Sequence, residues 1–322
     1  MEDSIFNIQN ESQFNENALK AFNYQMNENP IYASYANKIL KDKSPKNIYE
    51  IPYMPVSFFK NEQIICKGKK VEKIFLSSGT TGNHSKHLIS NIALYEKSYL
   101  KTFELFYGDI TKYCILSLLP NYREREGSSL IYMVDDLISK SKNPKSGFFL
   151  NNYEKLTEIM YKLEKKGQPT ILFGINNSLL DLAKKFPQKL THTIIIETGG
   201  SKGGKKEMLK EELHQKLKNS FSLNSIHSEY GMTELLSQSY SNKNGIFQSP
   251  PWKKVLIRDI NDPLTIIKNN NTGGINIIDL ANIYSCPFIA TEDLGKVFKD
   301  GTFVILGRFN NSDLRGCNLL VQ

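Results

Sequence analysis

No stretch of this 322-residue chain approaches the roughly 20 consecutive apolar residues of a membrane-spanning helix, so no membrane span is expected. The opening segment, MEDSIFNIQN, has neither a basic n-region nor an apolar core, and so lacks the marks of a secretory signal. Cysteine is scarce. Cys66, Cys114, Cys286 and Cys317 lie far apart, without a CxxC pair or a histidine at metal-ligand spacing. That pattern excludes a disulfide framework and a thiolate zinc centre, and a reduced, cytoplasmic protein is expected. Internal repeats and low-complexity linkers are missing as well. The net charge of +8 comes mostly from scattered lysines such as Lys67, Lys69, Lys70, Lys73, Lys202, Lys205 and Lys206. There is no RNP-type aromatic motif and no helix-turn-helix signature, so no nucleic-acid partner is expected. A basic surface of this kind is either simply solvated or suited to a polyphosphate or an anionic acyl carrier.

What remains is an alternation of short apolar runs and amphipathic stretches. At 322 residues the chain is long enough for about two domains, or for one α/β unit with a small appendage. Residues 1–60 read as helical and irregular, punctuated by Pro30, Pro45, Pro52 and Pro55. Val71–Leu76, Tyr113–Leu119, Thr170–Phe173 and Thr193–Ile196 read as strands. Between them, Tyr153–Lys165 places Tyr153, Leu156, Ile159, Met160 and Leu163 on one helical face, and Gly167 supplies a stop. Glu207–Lys218 repeats the pattern. In Tyr95–Tyr107, Tyr99, Phe103 and Phe106 recur at helical spacing and either wall a pocket or pack a core. Strands alternating with helices predict an α/β fold with helix-covered sheets. After about Pro250 the periodicity becomes strand-like, at Lys254–Ile257, Gly274–Leu280 and Thr302–Leu306. The division expected is an α/β body over 1–250 and a β-rich subdomain with a tail over 251–322.

Three short motifs carry chemistry. Ser77-Ser78-Gly79-Thr80-Thr81-Gly82 follows the Val71–Leu76 run. Glycines let backbone approach phosphate oxygens, and successive N–H groups with hydroxyls offer neutral donors. It is not a Walker A loop, because His84 stands where that pattern needs glycine. Tyr230-Gly231-Met232-Thr233-Glu234 offers a hydroxyl for a phosphate and a carboxylate for Mg²⁺. Thr291-Glu292-Asp293-Leu294-Gly295, with Gly307-Arg308 beyond, offers a carboxylate able to accept both hydroxyls of a ribose. Asp300-Gly301 reads as a hairpin turn.

Taken singly these motifs are weak, but their order and spacing resemble the adenylate-forming superfamily of acyl-CoA synthetases and luciferases from about Lys73 to Arg308. Gly199-Gly200, Glu229–Glu234, Pro250-Pro251-Trp252 and Ile257-Arg258-Asp259 resemble the branch of phenylacetate–CoA ligases and LuxE-type acyl-protein synthetases. The ending Leu314–Leu320, which contains Cys317, points to the LuxE type, the long-chain-fatty-acid–protein ligases. The resemblance implies the N-terminal-domain fold of that superfamily, with ATP and Mg²⁺ as cofactors. It implies that Ser77, Ser78, Gly79, Thr80, Thr81 and Gly82 cradle the β- and γ-phosphates. Gly199 and Gly200 would line the adenine, with Tyr230 and Gly231 against it. Thr233 would touch the α-phosphate, Glu234 would hold Mg²⁺, and Asp293 with Arg308 would grip the ribose. His87, five residues past the loop, would contact phosphate or the substrate carboxylate, or lie on the surface.

Members of full length carry a further mobile lid of about 110 residues with a catalytic lysine, and an acidic hinge where this chain has Asn310-Asn311. With no counterpart for that lid, the resemblance implies transfer of the acyl group to Cys317 as a thioester. A separate acceptor protein, such as an acyl reductase, would then receive it. A CoA ligase served by a separate lid, or a binding protein without turnover, are the alternatives. The acid itself is expected to be a fatty acid.

Overall fold

The computed structural model describes residues 2–41, 43–78, 84–121, 125–199, 208–267 and 270–309. In chain order the strands are β1 (Met54–Pro55), β2 (Lys73–Leu76), β3 (Lys86–Ile89), β4 (Cys114–Leu118), β5 (Gly147–Phe148), β6 (Thr170–Gly174), β7 (Thr193–Glu197), β8 (His227–Tyr230), β9 (Ser239–Ser241), β10 (Lys253–Arg258), β11 (Ile266–Ile267), β12 (Thr272–Asp279), β13 (Phe288–Val297) and β14 (Phe303–Arg308).

The first sheet runs β5-β4-β6-β7-β8-β9, parallel except for its last pair. Its central strands are apolar on both faces because both faces are covered. Leu116, Leu172 and Ile195 face one core with the helices Tyr153–Lys165, Asn176–Lys185 and Lys210–Phe221. Ile115, Ile171, Phe173 and Ile196 face the other, together with Tyr95, Tyr99, Met133 and Val134 from helices Ile92–Tyr107 and Ser129–Ser141. The aromatic residues of Ile92–Tyr107 thus answer the question the sequence left open: Tyr99 and Phe103 are buried in the core.

The second sheet runs β1-β13-β12-β10-β11, with β14 paired to β13, and it takes β1 from far upstream as a parallel edge. The N-terminal helices Glu11–Glu28 and Pro30–Leu40 are tied to the same region, since Gln25 and Asn29 donate to the carbonyls of Ile283 and Ser285. Strands β2 and β3 form a separate antiparallel hairpin. Asp300 caps Thr302 and Gly301 takes φ +83°, so the Asp300-Gly301 turn joins β13 to β14 as expected. The Glu207–Lys218 helix begins instead at Lys210 and continues to Phe221, where Phe221 is buried. Cys66, Cys114 and Cys286 are buried in packed surroundings. No helix among the described residues is long and apolar enough to cross a membrane.

Candidate active site

The site begins at the stem of the β2–β3 hairpin. Ser77 N–H donates to the Ser85 carbonyl at 3.0 Å, and Ser85 N–H returns to Ser77 Oγ at 2.9 Å. His84 Nδ1 closes on the Ser77 carbonyl at 2.6 Å. Ser77 and Ser78 therefore stand at the end of a clamped stem. Gly79, Thr80, Thr81 and Gly82 lie outside the described residues, as do Gly200 and Cys317.

That stem reaches the second motif directly. The Ser85 hydroxyl hydrogen-bonds the carboxyl of Glu234, a residue only 5% exposed. Burial pushes the Glu234 pKa up, and the Ser85 bond pulls against that shift. His87, fully buried on β3, places Nδ1 2.7 Å from the Thr233 carbonyl and Nε2 2.9 Å from Asn282 Oδ1. Asn282 Nδ2 donates to the carbonyls of Glu234, at 2.9 Å, and Cys286, at 2.8 Å. Two successive carbonyls of the Thr233-Glu234 pair are thus held from one side. From the other, Asp279 Oδ2 accepts the N–H groups of Leu236 and Ser237 at 2.8 and 2.9 Å. His87 was expected either to meet a phosphate or carboxylate or to lie on the surface, and its full burial rules out the surface. With both ring nitrogens faced by protein oxygens, it positions Thr233 instead. Burial carries its pKa down to about 4.

The third motif joins through Tyr230. Its hydroxyl donates to Asp293 Oδ2 at 2.8 Å, while Arg308 Nε donates to Asp293 Oδ1 at 3.0 Å. Asp293 and Arg308 face each other in the β13–β14 register. The carboxylate is buried and the Arg308 side chain is 68% exposed, so much of the guanidinium lies at the surface. The Tyr230 ring is gripped by Phe247 and Phe303, with centroids 5.9 and 5.8 Å away.

Parallel pairing of β7 with β8 sets Gly199 and Tyr230 at the same carboxyl edge of the first sheet. Such edges are where open α/β sheets place ligands. Gly199 takes φ +67° and donates its N–H to Glu197 Oε2 at 2.9 Å, and among the described residues nothing stands within 4 Å of where a β-carbon would project. Burial works against a charge on Glu197, but His214 and the Lys210 ammonium, 2.7 Å away, outweigh it and bring its pKa to about 2. A β-carbon on Gly231 would lie 2.5 Å from Glu229 Oε1, so the Glu229 carboxyl would have to shift to admit one. Burial raises the Glu229 pKa to about 8.

The donor set fits Mg²⁺ held mainly by a substrate. Among the described residues no cluster of three His, Cys, Asp or Glu could cage a metal. Glu234 is a single buried carboxyl with no ion pair among the described residues, and Mg²⁺ commonly takes one or two carboxylates plus phosphate oxygens. Sequence reasoning missed Ser85, Asn282 and Asp279. Each acts on residues far along the chain, and nothing local marks them.

No protein-family model and no curated protein matches the chain. Solved structures do. The structure of ATP-bound MatB from Rhodopseudomonas palustris superposes with a TM-score of 0.57 at 18% identity, over 74% of this chain and 48% of MatB. The chain therefore spans about half the length of MatB. An open conformation of 2-hydroxyisobutyryl-CoA ligase, in complex with 2-HIB-AMP and CoA, gives a TM-score of 0.66 at 10% identity, over 93% of this chain and 75% of that one. The luciferase-like enzyme of the mealworm Zophobas morio gives 0.55 at 17% identity, over 76% and 59%. The fold is that of the N-terminal domain of adenylate-forming enzymes.

Proposed function

We propose that this protein activates a carboxylic acid with ATP, producing an acyl-adenylate and pyrophosphate. The observation that carries the reading is the Tyr230–Asp293–Arg308 junction, in which two motifs separated by most of the second sheet share one buried carboxylate. A carboxylate with two oxygens fixed by protein donors still has lone pairs for ribose hydroxyls, and Arg308 keeps N–H groups exposed beside them. Gly199 and Gly200 with the Tyr230 ring would bound the adenine. Ser78, Thr80, Thr81 and Gly82 would hold the outer phosphates.

A carboxylate oxygen of the acid attacks the α-phosphorus, and the bond to the bridging oxygen of pyrophosphate breaks. Charge on the leaving group needs no proton if it is neutralised in place. Thr233 would donate to the α-phosphate. Glu234 would hold Mg²⁺, which when bound neutralises phosphate charge. Little covalent work falls to the protein, so rate depends on positioning. The Thr233-Glu234 main chain, held by His87 and Asn282, suits that demand.

Beyond adenylation, the finer reading is acyl transfer to Cys317. The thiolate attacks the acyl carbonyl, AMP leaves, and a thioester remains for an acceptor protein. The LuxE-like ending supports this and a fatty acid as substrate. A CoA acceptor is the second reading, favoured by the likeness to a ligase solved with CoA. Pyrophosphate exchange across a panel of carboxylic acids tests the first step, and no acid-dependent exchange would refute it. Radiolabelled acid then separates the acceptors, by label on the protein or on CoA.

A further inference from the structure

Arg258 is buried, yet among the described residues no carboxylate pairs with it. Its Nη1 donates to the Ile275 carbonyl at 2.7 Å and to Asn276 Oδ1 at 2.9 Å, and its Nη2 to the Thr291 carbonyl at 2.6 Å. A buried cation served only by neutral acceptors is costly, and burial lowers the Arg258 pKa accordingly. Its place in the sheet explains why it is tolerated. The β12–β13 ladder pairs Gly274 with Leu294 and then Asn276 with Ala290, so that Thr291, Glu292 and Asp293 stand against Ile275 alone. Bulges of this kind bend a strand and re-aim its side chains. Here the bulge contains Asp293.

At the bulge the carbonyls of Ile275 and Thr291 are met by side chains. The Arg258 fork supplies donors to both, and the Thr291 hydroxyl adds one to Ile275 at 3.0 Å. The guanidinium also lies 5.5 Å from the Phe309 ring, and Phe309 N–H donates to the Glu292 carbonyl at 2.9 Å. Arg258 therefore braces Asp293 through Thr291 and Arg308 through Phe309. Gly274 faces Arg258 across β10–β12, and a β-carbon there would come within 2.5 Å of the guanidinium carbon.

We propose that Arg258 is the positioning residue of the nucleotide-ribose site, filling the β13 bulge so that Asp293 and Arg308 meet. The nucleotide half of this inference rests on the adenylation reading. The brace itself does not. Arg258→Lys keeps the charge but cannot bridge two carbonyls with a planar fork. Gly274→Ala keeps arginine and displaces it.

Amide hydrogen exchange on both variants is the test that needs no activity. Faster exchange confined to residues 291–294 and the Phe309 amide is expected, and an unchanged profile in both overturns the brace. In pyrophosphate exchange, Arg258→Lys should raise the KM for ATP at least tenfold while the KM for the acid stays within about twofold. Adding it to Asp293→Asn should cost nothing further, because groups acting as a unit are non-additive. Additive losses, or equal rises in both KM values, would reduce Arg258 to general scaffolding and overturn the proposal. A wild-type protein without acid-dependent exchange removes the adenylation reading and the ribose half together, and the amide profile still decides the brace.

Discussion

Replacing Glu234 with glutamine should push stability and activity in opposite directions. The carboxyl is buried, burial raises its pKa, and the Ser85 hydroxyl is its hydrogen-bonding partner. A glutamine carbonyl can still accept from Ser85, so the substitution removes a poorly solvated charge while keeping the bond. The sign follows from linkage. A folded pKa above the ordinary glutamate value of 4.5 means that the native state holds the proton more tightly. Stability associated with this group is complete below that value and declines as pH rises through the folded pKa. Glu234→Gln should abolish that decline, leaving the midpoint at neutral pH equal to wild type or higher. Adenylation should behave otherwise. Loss of one preorganised electrostatic group typically costs about 3 kcal/mol, or roughly a hundredfold in rate, and more Mg²⁺ should be needed to reach half-maximal exchange. Urea titrations at pH 5 and 8, read beside pyrophosphate exchange, provide both numbers. A destabilised variant with near wild-type exchange would show that Glu234 is a structural carboxylate and refute its assignment to the metal.

Three further substitutions probe the rest of the site. Tyr230→Phe keeps the ring between Phe247 and Phe303 but strips a donor from buried Asp293, and should lower stability by about 1.5–3 kcal/mol in urea unfolding, the usual range for bonds to charged groups. His87 has a pKa depressed by burial, so its contribution is full above the ordinary histidine value of 6.5 and is lost as pH falls toward about 4. At 1.36 kcal/mol per unit that is about 3 kcal/mol, and His87→Gln should flatten the acid limb between those values while unchanged acid sensitivity would contradict the burial argument. Cys317→Ala should retain acid-dependent pyrophosphate exchange and lose any hydroxylamine-labile acyl label, and a label of normal intensity would place the acceptor elsewhere.

Some of this molecule was plain in its sequence for identifiable reasons. Runs such as Thr170–Gly174 and Thr193–Glu197 are apolar on both faces because helices cover both faces, and that needs no distant information. The helix Tyr153–Lys165 is legible because its buried residues Leu156, Met160 and Leu163 repeat at helical spacing. The two-residue strand β1 is not, since its only reason to be extended is its pairing with β13 more than 200 residues on. The motifs were legible as chemistry but not as geometry. Asn282 reads as an ordinary asparagine, and its role exists only because His87 and the Glu234 carbonyl arrive beside it. Glu229 sits in the polar run His227–Tyr230, where nothing distinguishes a buried carboxyl from an exposed one.

The bonds that assemble the site share a chemical type. Within each sheet the ladder fixes strands to one another, but no ladder connects the hairpin β2–β3 to β8, or β8 to β13. Those joints are made by side chains reaching backbone or one another: His87 to the Thr233 carbonyl, Asn282 to the Glu234 carbonyl, Ser85 to the Glu234 carboxyl, and Tyr230 to Asp293. Each involves buried groups, where an unmade bond would leave a polar atom without water and cost about 1–3 kcal/mol. The hairpin β2–β3 and the second sheet are therefore coupled through the segment Tyr230–Glu234. His87 of the hairpin holds its Thr233 carbonyl, while Asn282, between β12 and β13, and Asp293 of β13 hold its Glu234 carbonyl and its tyrosine. A substitution that frees one end should loosen the other, so losses at Ser85 and Asp293 are expected to be less than additive even though the two residues belong to different sheets.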